Sequence, residues 1–346
     1  MVKGLFADAD GQVFLKEEKE TTLAEDRVRI RTELAAIKHG TEFHVFSKTS
    51  PFETEWFDSE MRLFVPKPEH DLRIPFSEGY LGNTVVGTIT ETGTAVTSLH
   101  IGDKVYGYAP AIDSVTLAEK DVHLLESLKP TDALCLDPAL YAYAAVRDGR
   151  VCLGDNCIVF GLGAIGLLAV QMLKRAGCLN VLAVDPIEKR RDLAQHFGAD
   201  FALDPMTCDV GLETRRILGQ GADIALEASG NYTALQAALR SVQKCGRVVT
   251  LGFYQGQGTA LELGREWLHN RLEMICSMPT WGNPPRDYPL WTEARLVQTV
   301  AELFRRSFLH SEGIVDPIVP FADSPQAFLD VYHHPAQAIK LGIRFP

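Results

Sequence analysis

N-C-I-V-F-G-L-G-A-I-G-L-L-A-V-Q-M-L-K-R-A-G-C-L-N-V-L-A-V-D, residues 156–185, is the stretch that decides the fold. It reads as strand, glycine turn, helix, strand and acid. Cys157 to Phe160 form the short apolar run of a buried parallel strand. Gly161, Gly163 and Gly166 follow as G-x-G-x-x-G. Ile165, Leu168 and Met172 recur at helical spacing, and Gly177 supplies a stop. Val181 to Val184 form a second apolar run, closed by Asp185.

Each glycine has a physical reason. Gly161 permits a tight turn, Gly163 lets a pyrophosphate approach the backbone, and Gly166 lets the helix pack close to the strand. Leu162, Ala164 and Ile165 complete the same turn. The helix start then offers N–H groups and partial positive charge to phosphates. Asp185 lies 19 residues beyond Gly166, where a carboxylate can accept hydrogen bonds from a ribose diol. A 2′-phosphate would meet like charge there, so the expected cofactor is NAD rather than NADP. Arg190 and Arg191 follow closely and soften that preference.

The rest of the composition narrows the class. With 346 residues the chain can build two cores. Net charge is −11, which argues against nucleic acid or an anionic membrane as partner, since both call for a basic surface. No apolar run reaches the ~18–20 residues of a membrane span, and M-V-K-G-L-F-A-D-A-D turns acidic too soon for a signal peptide. A cytoplasmic location is therefore expected. Seven cysteines, none in C-x-x-C spacing and most in apolar runs, argue against a disulfide framework or cysteine zinc cluster.

In chain order, residues 1–37 read as β structure, with a hairpin signal at D-G-Q. The segment K-H-G-T-E-F-H reads as polar and turn-like, and residues 45–76 as a long aromatic loop. That loop holds Phe46, Phe52, Trp56, Phe57 and Phe64 beside Lys48, Arg62 and Arg73. Residues 131–148 are helical with a break expected at Pro138. Strands are expected near 157–160, 181–185, 200–203, 223–227, 247–253 and 272–276, with helices between most of them. Such alternation predicts a doubly wound parallel sheet. A proline and aromatic loop follows, with Trp281, Arg286, Tyr288 and Trp291 as one wall of a site, and then a helix and a strand-like tail. The β-rich parts and the nucleotide domain would face each other across a cleft.

The chain resembles the medium-chain dehydrogenase/reductase superfamily, which includes the zinc alcohol, sorbitol and threonine dehydrogenases. The marks are H-G-T-E-F-H (39–44), G-N-T-V-V-G (82–87), G-D-K-V (102–105), G-L-G-A-I-G (161–166), D-I-A-L-E-A-S-G-N (223–231), G-R-V-V-T-L-G-F (246–253) and A-I-K-L (338–341). The resemblance implies an α/β chain. A GroES-like β-rich catalytic domain would take residues 1–138 and 280–346, and a Rossmann domain residues 139–279. It also places Lys340 on the cofactor pyrophosphate and Gly252 and Phe253 on the nicotinamide side. Relatives are commonly dimers or tetramers, so a homo-oligomer is expected.

The departures from the family pattern carry weight. His39 stands where zinc members have the first cysteine, and Asn83 and Thr84 stand where they have G-H-E. Asp137 lies on the segment that would offer a third ligand. An amide is a poor zinc ligand, so zinc is judged absent and no metal residues are assigned. Without a Lewis acid, side chains must exchange the hydroxyl proton. The resemblance implies Thr41 as the substrate contact and His44 as the outer end of a proton relay. Glu42 would orient His39, and His39 would lie nearest the reacting oxygen. Lys38 is the runner-up acid–base group. The reading is an NAD-dependent oxidoreductase interconverting a secondary alcohol and a ketone on a polyol-, sugar- or cyclitol-like small molecule. The alternatives are a zinc-free quinone or enone reductase and a catalytically inactive nucleotide-binding protein.

Overall fold

The apolar runs between residues 156 and 276 fold into a six-stranded sheet, all parallel. Its spatial order is Phe201–Leu203, Asn180–Val184, Asn156–Phe160, Ala222–Glu227, Val242–Thr250, Glu273–Cys276. The order reverses beside Asn156–Phe160, the strand that feeds the glycine turn, as in a doubly wound nucleotide-binding sheet. The structure is a computed structural model, and it describes residues 1–67, 78–279 and 283–346.

Two compact units divide the chain, Met1–Leu134 with Val315–Pro346, and Cys135–Ile314. The expected boundaries at 138/139 and 279/280 therefore move, the second by the larger amount. The cause is the helix Glu293–Arg305, whose buried Leu296, Val300, Ala301 and Phe304 pack it on the helix Leu136–Asp148 of the second unit. The break expected at Pro138 falls instead at Cys135, between helices Pro130–Leu134 and Leu136–Asp148. Pro138 sits in the first turn of the latter, where a missing N–H costs nothing.

In the first unit, strand Arg27–Ala36 is the spine of a seven-stranded sheet. It pairs antiparallel with Thr84–Thr92, with Ser114–Ala118 and with Lys340–Arg344. A three-stranded sheet of Val13–Glu18, Val2–Ala7 and Gly79–Tyr80 stands apart from it in pairing, and the D-G-Q hairpin is present. Leu5, Ile30, Ile37, Ile89 and Phe328 share one core.

Two loop readings change. His39–Phe46 is a helix, not a polar turn, because Phe43 and Phe46 both pack on Phe328 and Tyr332. Residues 45–67 are not a single loop, since Glu55–Asp58 and Leu63–Pro66 pair as a hairpin. Phe64 packs on Phe52 and Phe57, and the Arg62 guanidinium lies 5.5 Å from the Phe57 ring centroid. The Lys48 Nζ donates to the Ala9 carbonyl at 2.7 Å. These aromatics pack on one another. Arg73 lies outside the described residues.

The glycine turn has a steric logic. A Cβ at Gly166 would lie 1.9 Å from the Gly161 carbonyl oxygen, whereas one at Gly163 would meet nothing within 4 Å. Gly166→Ala should therefore lower stability by about 1–3 kcal/mol or more. Gly163→Ala should leave the melting temperature almost unchanged. Thermal unfolding of both variants checks this, and equal melting temperatures would contradict the packing argument.

Candidate active site

In the second unit, three loops meet beyond the carboxyl ends of the parallel strands, where open α/β sheets bind ligands. The first is the glycine turn. Gly161 has φ +83°, and a Cβ on it would lie 2.7 Å from the Ser229 nitrogen. The second is the turn after Glu227, and the third begins at Gly252, where a Cβ would lie 2.1 Å from the Gly230 nitrogen. Only glycines allow backbones this close.

Glu227 ties the second and third of these loops together, a role that E-A-S-G-N does not announce in the sequence. Its carboxylate is fully buried and accepts from the Ser229 N–H at 2.8 Å and the Gly230 N–H at 3.1 Å. The Ser229 and Tyr254 hydroxyls also donate to it. Burial raises the Glu227 carboxyl above its ordinary range, and these donors oppose the rise. Burial and the Glu227 charge push the Tyr254 hydroxyl up in turn. Phe253 is exposed beside this cluster.

Helix Ala164–Ala176 starts at Gly163 with no side-chain cap. Its first-turn N–H groups and the open face of Gly163 fit a diphosphate. Asp185 does more than expected. It is 3% exposed, and its carboxylate accepts from the Leu162 N–H at 2.8 Å and the Ile187 N–H at 2.9 Å. Arg190 Nη1 stands 3.7 Å from the same carboxylate, and Arg191 Nη1 donates to the Asp185 carbonyl at 2.7 Å. Asp185 thus braces the glycine turn, and its oxygens keep lone pairs for a further donor. Ala164 and Ile165 open the helix as read.

The expected second wall does not hold as such. Trp291 is buried between the guanidiniums of Arg147 and Arg295, at 3.7 and 4.0 Å from its ring centroid. Arg286 donates to the Cys276 carbonyl at 2.7 Å, and Tyr288 is exposed. Trp281 lies outside the described residues.

In the first unit the candidate residues gather at the start of helix His39–Phe46. The Glu42 carboxylate accepts from the Lys38 N–H at 2.7 Å and from the Gly82 N–H at 2.5 Å. Burial raises its pKa, opposed first by those two N–H groups and then by the charges of Lys340 and Lys38. Glu42 was expected to orient His39; what it fixes is the backbone on either side of the site.

His39 differs most from expectation. Its Nε2 accepts from the Leu341 N–H at 3.0 Å, and its ring stacks on Phe43 with centroids 4.8 Å apart. A ring nitrogen that accepts carries no proton, so His39 is neutral with its proton on Nδ1. Protonating Nε2 would cost that bond. The geometry makes His39 an anchor for strand Lys340–Arg344 and opposes the acid–base role read from the sequence. Lys340, expected on the cofactor pyrophosphate, is held by the first unit as well. It is 4% exposed, and its Nζ donates to the Ile37 carbonyl at 3.0 Å within the first unit.

Thr41 and His44 lie three residues apart on one helix, hence on one face. No hydrogen bond links them among the described residues, and the Thr41 hydroxyl has no partner there. The His44 Nδ1 lies 3.1 Å from the Thr49 hydroxyl, and burial lowers its pKa. Asn83 is 3% exposed, and neither its Oδ1 nor its Nδ2 has a hydrogen-bond partner. Tyr80 packs edge-on against Phe6.

This donor set does not fit a catalytic zinc. His39 Nε2 is engaged by the Leu341 N–H, and Asn83 offers only an amide. Among the described residues no three His, Cys, Asp or Glu side chains gather as a metal would require. Among the described residues the cysteines form no disulfide. No helix of the described residues is long and apolar enough to cross a membrane.

Comparison with known proteins places this geometry. The chain is 39% identical, over 99% of its own length and 100% of the relative's, to D-guloside 3-dehydrogenase of Escherichia coli K12. It belongs to the medium-chain dehydrogenase/reductase superfamily. Residues 164–290 match the family model described as zinc-binding dehydrogenase. Among solved structures, 2R,3R-butanediol dehydrogenase from Bacillus subtilis superposes with a TM-score of 0.79 at 20% identity, covering 99% of both chains. An Escherichia coli alcohol dehydrogenase complexed with NADH does so at 0.77 and 18%, again covering 99% of both chains. As a superfamily member the protein has a GroES-like unit and a Rossmann unit, and it is an alcohol dehydrogenase-like oxidoreductase.

His44 carries a pH signature. Its folded pKa lies below the ordinary 6.5, so its contribution to stability is present above that value and lost as pH falls through the folded one. As pH falls below 6.5 the melting temperature of the native protein should fall further than that of His44→Gln, with the two curves parallel above that value. Parallel curves throughout would contradict the assignment.

Proposed function

We propose that this dehydrogenase uses NAD to oxidise a secondary alcohol of a sugar or polyol to the ketone, without a catalytic zinc. The observation that carries the reading is the near full-length kinship with a D-guloside 3-dehydrogenase. The donor set around His39 and Asn83 supports the zinc-free part, because His39 Nε2 spends its lone pair on the Leu341 N–H and an amide is a poor zinc ligand. Asp185 supports NAD, because its buried carboxylate would repel a 2′-phosphate. Arg190 weakens that repulsion without removing it.

The alcohol must lose a hydride and a proton. Bound NAD supplies the hydride acceptor. On the protein side, the Thr41 hydroxyl contacts the substrate oxygen. His44, neutral at neutral pH because burial lowers its pKa, takes up the proton at the outer side. Lys38 and Glu42 hold the start of that helix, Glu42 through the Lys38 N–H. His39 fixes the strand beside it. Gly252 and Phe253 serve the nicotinamide side, and Gly161 to Gly166 the diphosphate. The protein works as a homo-oligomer in this reading.

Purified enzyme should reduce NAD with D-gulosides or related polyols and prefer NAD to NADP by about tenfold or more. Gly163→Ala should weaken NAD binding while the fold is kept. Elemental analysis of protein prepared without added metal should find no stoichiometric zinc. Turnover of enones with NADPH but of no alcohol would favour a double-bond reductase instead.

A further inference from the structure

A buried amide with no partner is costly, and Asn83 has both of its polar atoms in that state. Its backbone is held from both sides. Its own N–H donates to the Ala36 carbonyl at 3.1 Å, and the neighbouring Gly82 N–H is on Glu42. Gly82 has φ +100°, and a Cβ there would lie 2.7 Å from the Ala111 nitrogen. The side chain is therefore presented by a rigid segment, at the position where zinc-dependent relatives carry a ligand, yet it makes no bond that stabilises the protein.

The chemistry of an amide limits what it can receive. Nδ2 donates and Oδ1 accepts. A metal ion satisfies the oxygen and repels the N–H. A phosphate satisfies the N–H and leaves the oxygen facing negative charge. Two adjacent hydroxyls satisfy both atoms, one accepting and one donating. We infer that Asn83 is a substrate-binding residue that recognises a vicinal diol, taking the reacting oxygen on Nδ2 and the neighbouring hydroxyl on Oδ1. The pairing survives the reaction, since a ketone oxygen still accepts from Nδ2 and the neighbouring hydroxyl still donates. The inference rests on the sugar or polyol reading above and deepens it from secondary alcohols in general to those with a hydroxyl on the next carbon.

The structure also separates this role from a structural one. Removing a buried polar group that has no protein partner should be neutral or stabilising. The test compares the native enzyme with Asn83→Leu and Asn83→Ala on methyl D-gulopyranoside and on its 2-deoxy and 4-deoxy analogues. The native enzyme should disfavour at least one deoxy sugar by about 10²-fold in kcat/KM, because a site built to bond a hydroxyl rejects its absence. In either variant that preference should shrink to within about threefold, through loss on the diol, with the melting temperature unchanged or raised. Native-like preference in both variants would overturn the inference, as would a lowered melting temperature with preference retained. Absence of any sugar oxidation would instead defeat the functional reading. Calorimetric titration of the same sugars then decides the present point. Tighter binding of the diol by the native protein but not by the variants would support it, and equal binding would overturn it.

Discussion

The site of the first unit depends on one carboxylate. Glu42 accepts from Lys38 and Gly82, two backbone N–H groups that lie on different strand ends of the same sheet. A carboxylate in this position is expensive to bury, and burial raises its pKa, so the two N–H bonds and the nearby lysines must offset a real cost. What the arrangement gains is position. The start of helix His39–Phe46 and the turn before Asn83 cannot drift apart without leaving donors and acceptor unmet.

The second unit solves a similar problem with small residues. The loops beyond its strands approach so closely that Gly161 and Gly252 have no room for a Cβ, and Gly166 has none against Gly161 within the turn itself. Gly163 alone among the motif glycines faces open space, which separates its purpose from theirs. Glu227 and Asp185 are the polar counterpart, since each buried carboxylate satisfies loop N–H groups that would otherwise be unpaired. The geometry of these loops is thus held by their own buried carboxylates and glycines.

Much of this was legible in the sequence because it is local. The parallel sheet follows from apolar runs of strand length alternating with helices, and the glycine roles follow from spacing alone. The misreadings share a cause, which is contact across long separations. His39 is anchored by Leu341, 302 positions away, and nothing near His39 announces it. Helix His39–Phe46 looks polar in isolation and forms because Phe43 and Phe46 find Phe328 and Tyr332. The bond from Lys340 to the Ile37 carbonyl spans the length of the chain in the same way and has no local sign in A-I-K-L. Asn83 stands where zinc members have a ligand, and its burial without a partner is visible only in three dimensions. The helix Glu293–Arg305 was recognised but given to the wrong unit, since a periodic pattern names a buried face and not what covers it.

The first unit is sewn from two distant segments, and strand Lys340–Arg344 lies against Arg27–Ala36. On the ribosome the early segment emerges first and then waits while Cys135–Ile314 is made. At ~5–20 residues per second that delay is on the order of ten seconds or more. Throughout it, one edge of the nascent sheet has no neighbour, and the imidazole of His39 has no amide to hold. The Rossmann half, continuous in the chain, can mature during the wait. Newborn molecules therefore pass through a stage with a finished nucleotide fold and a raw strand edge, the stage most open to mispairing between copies or to capture by a chaperone.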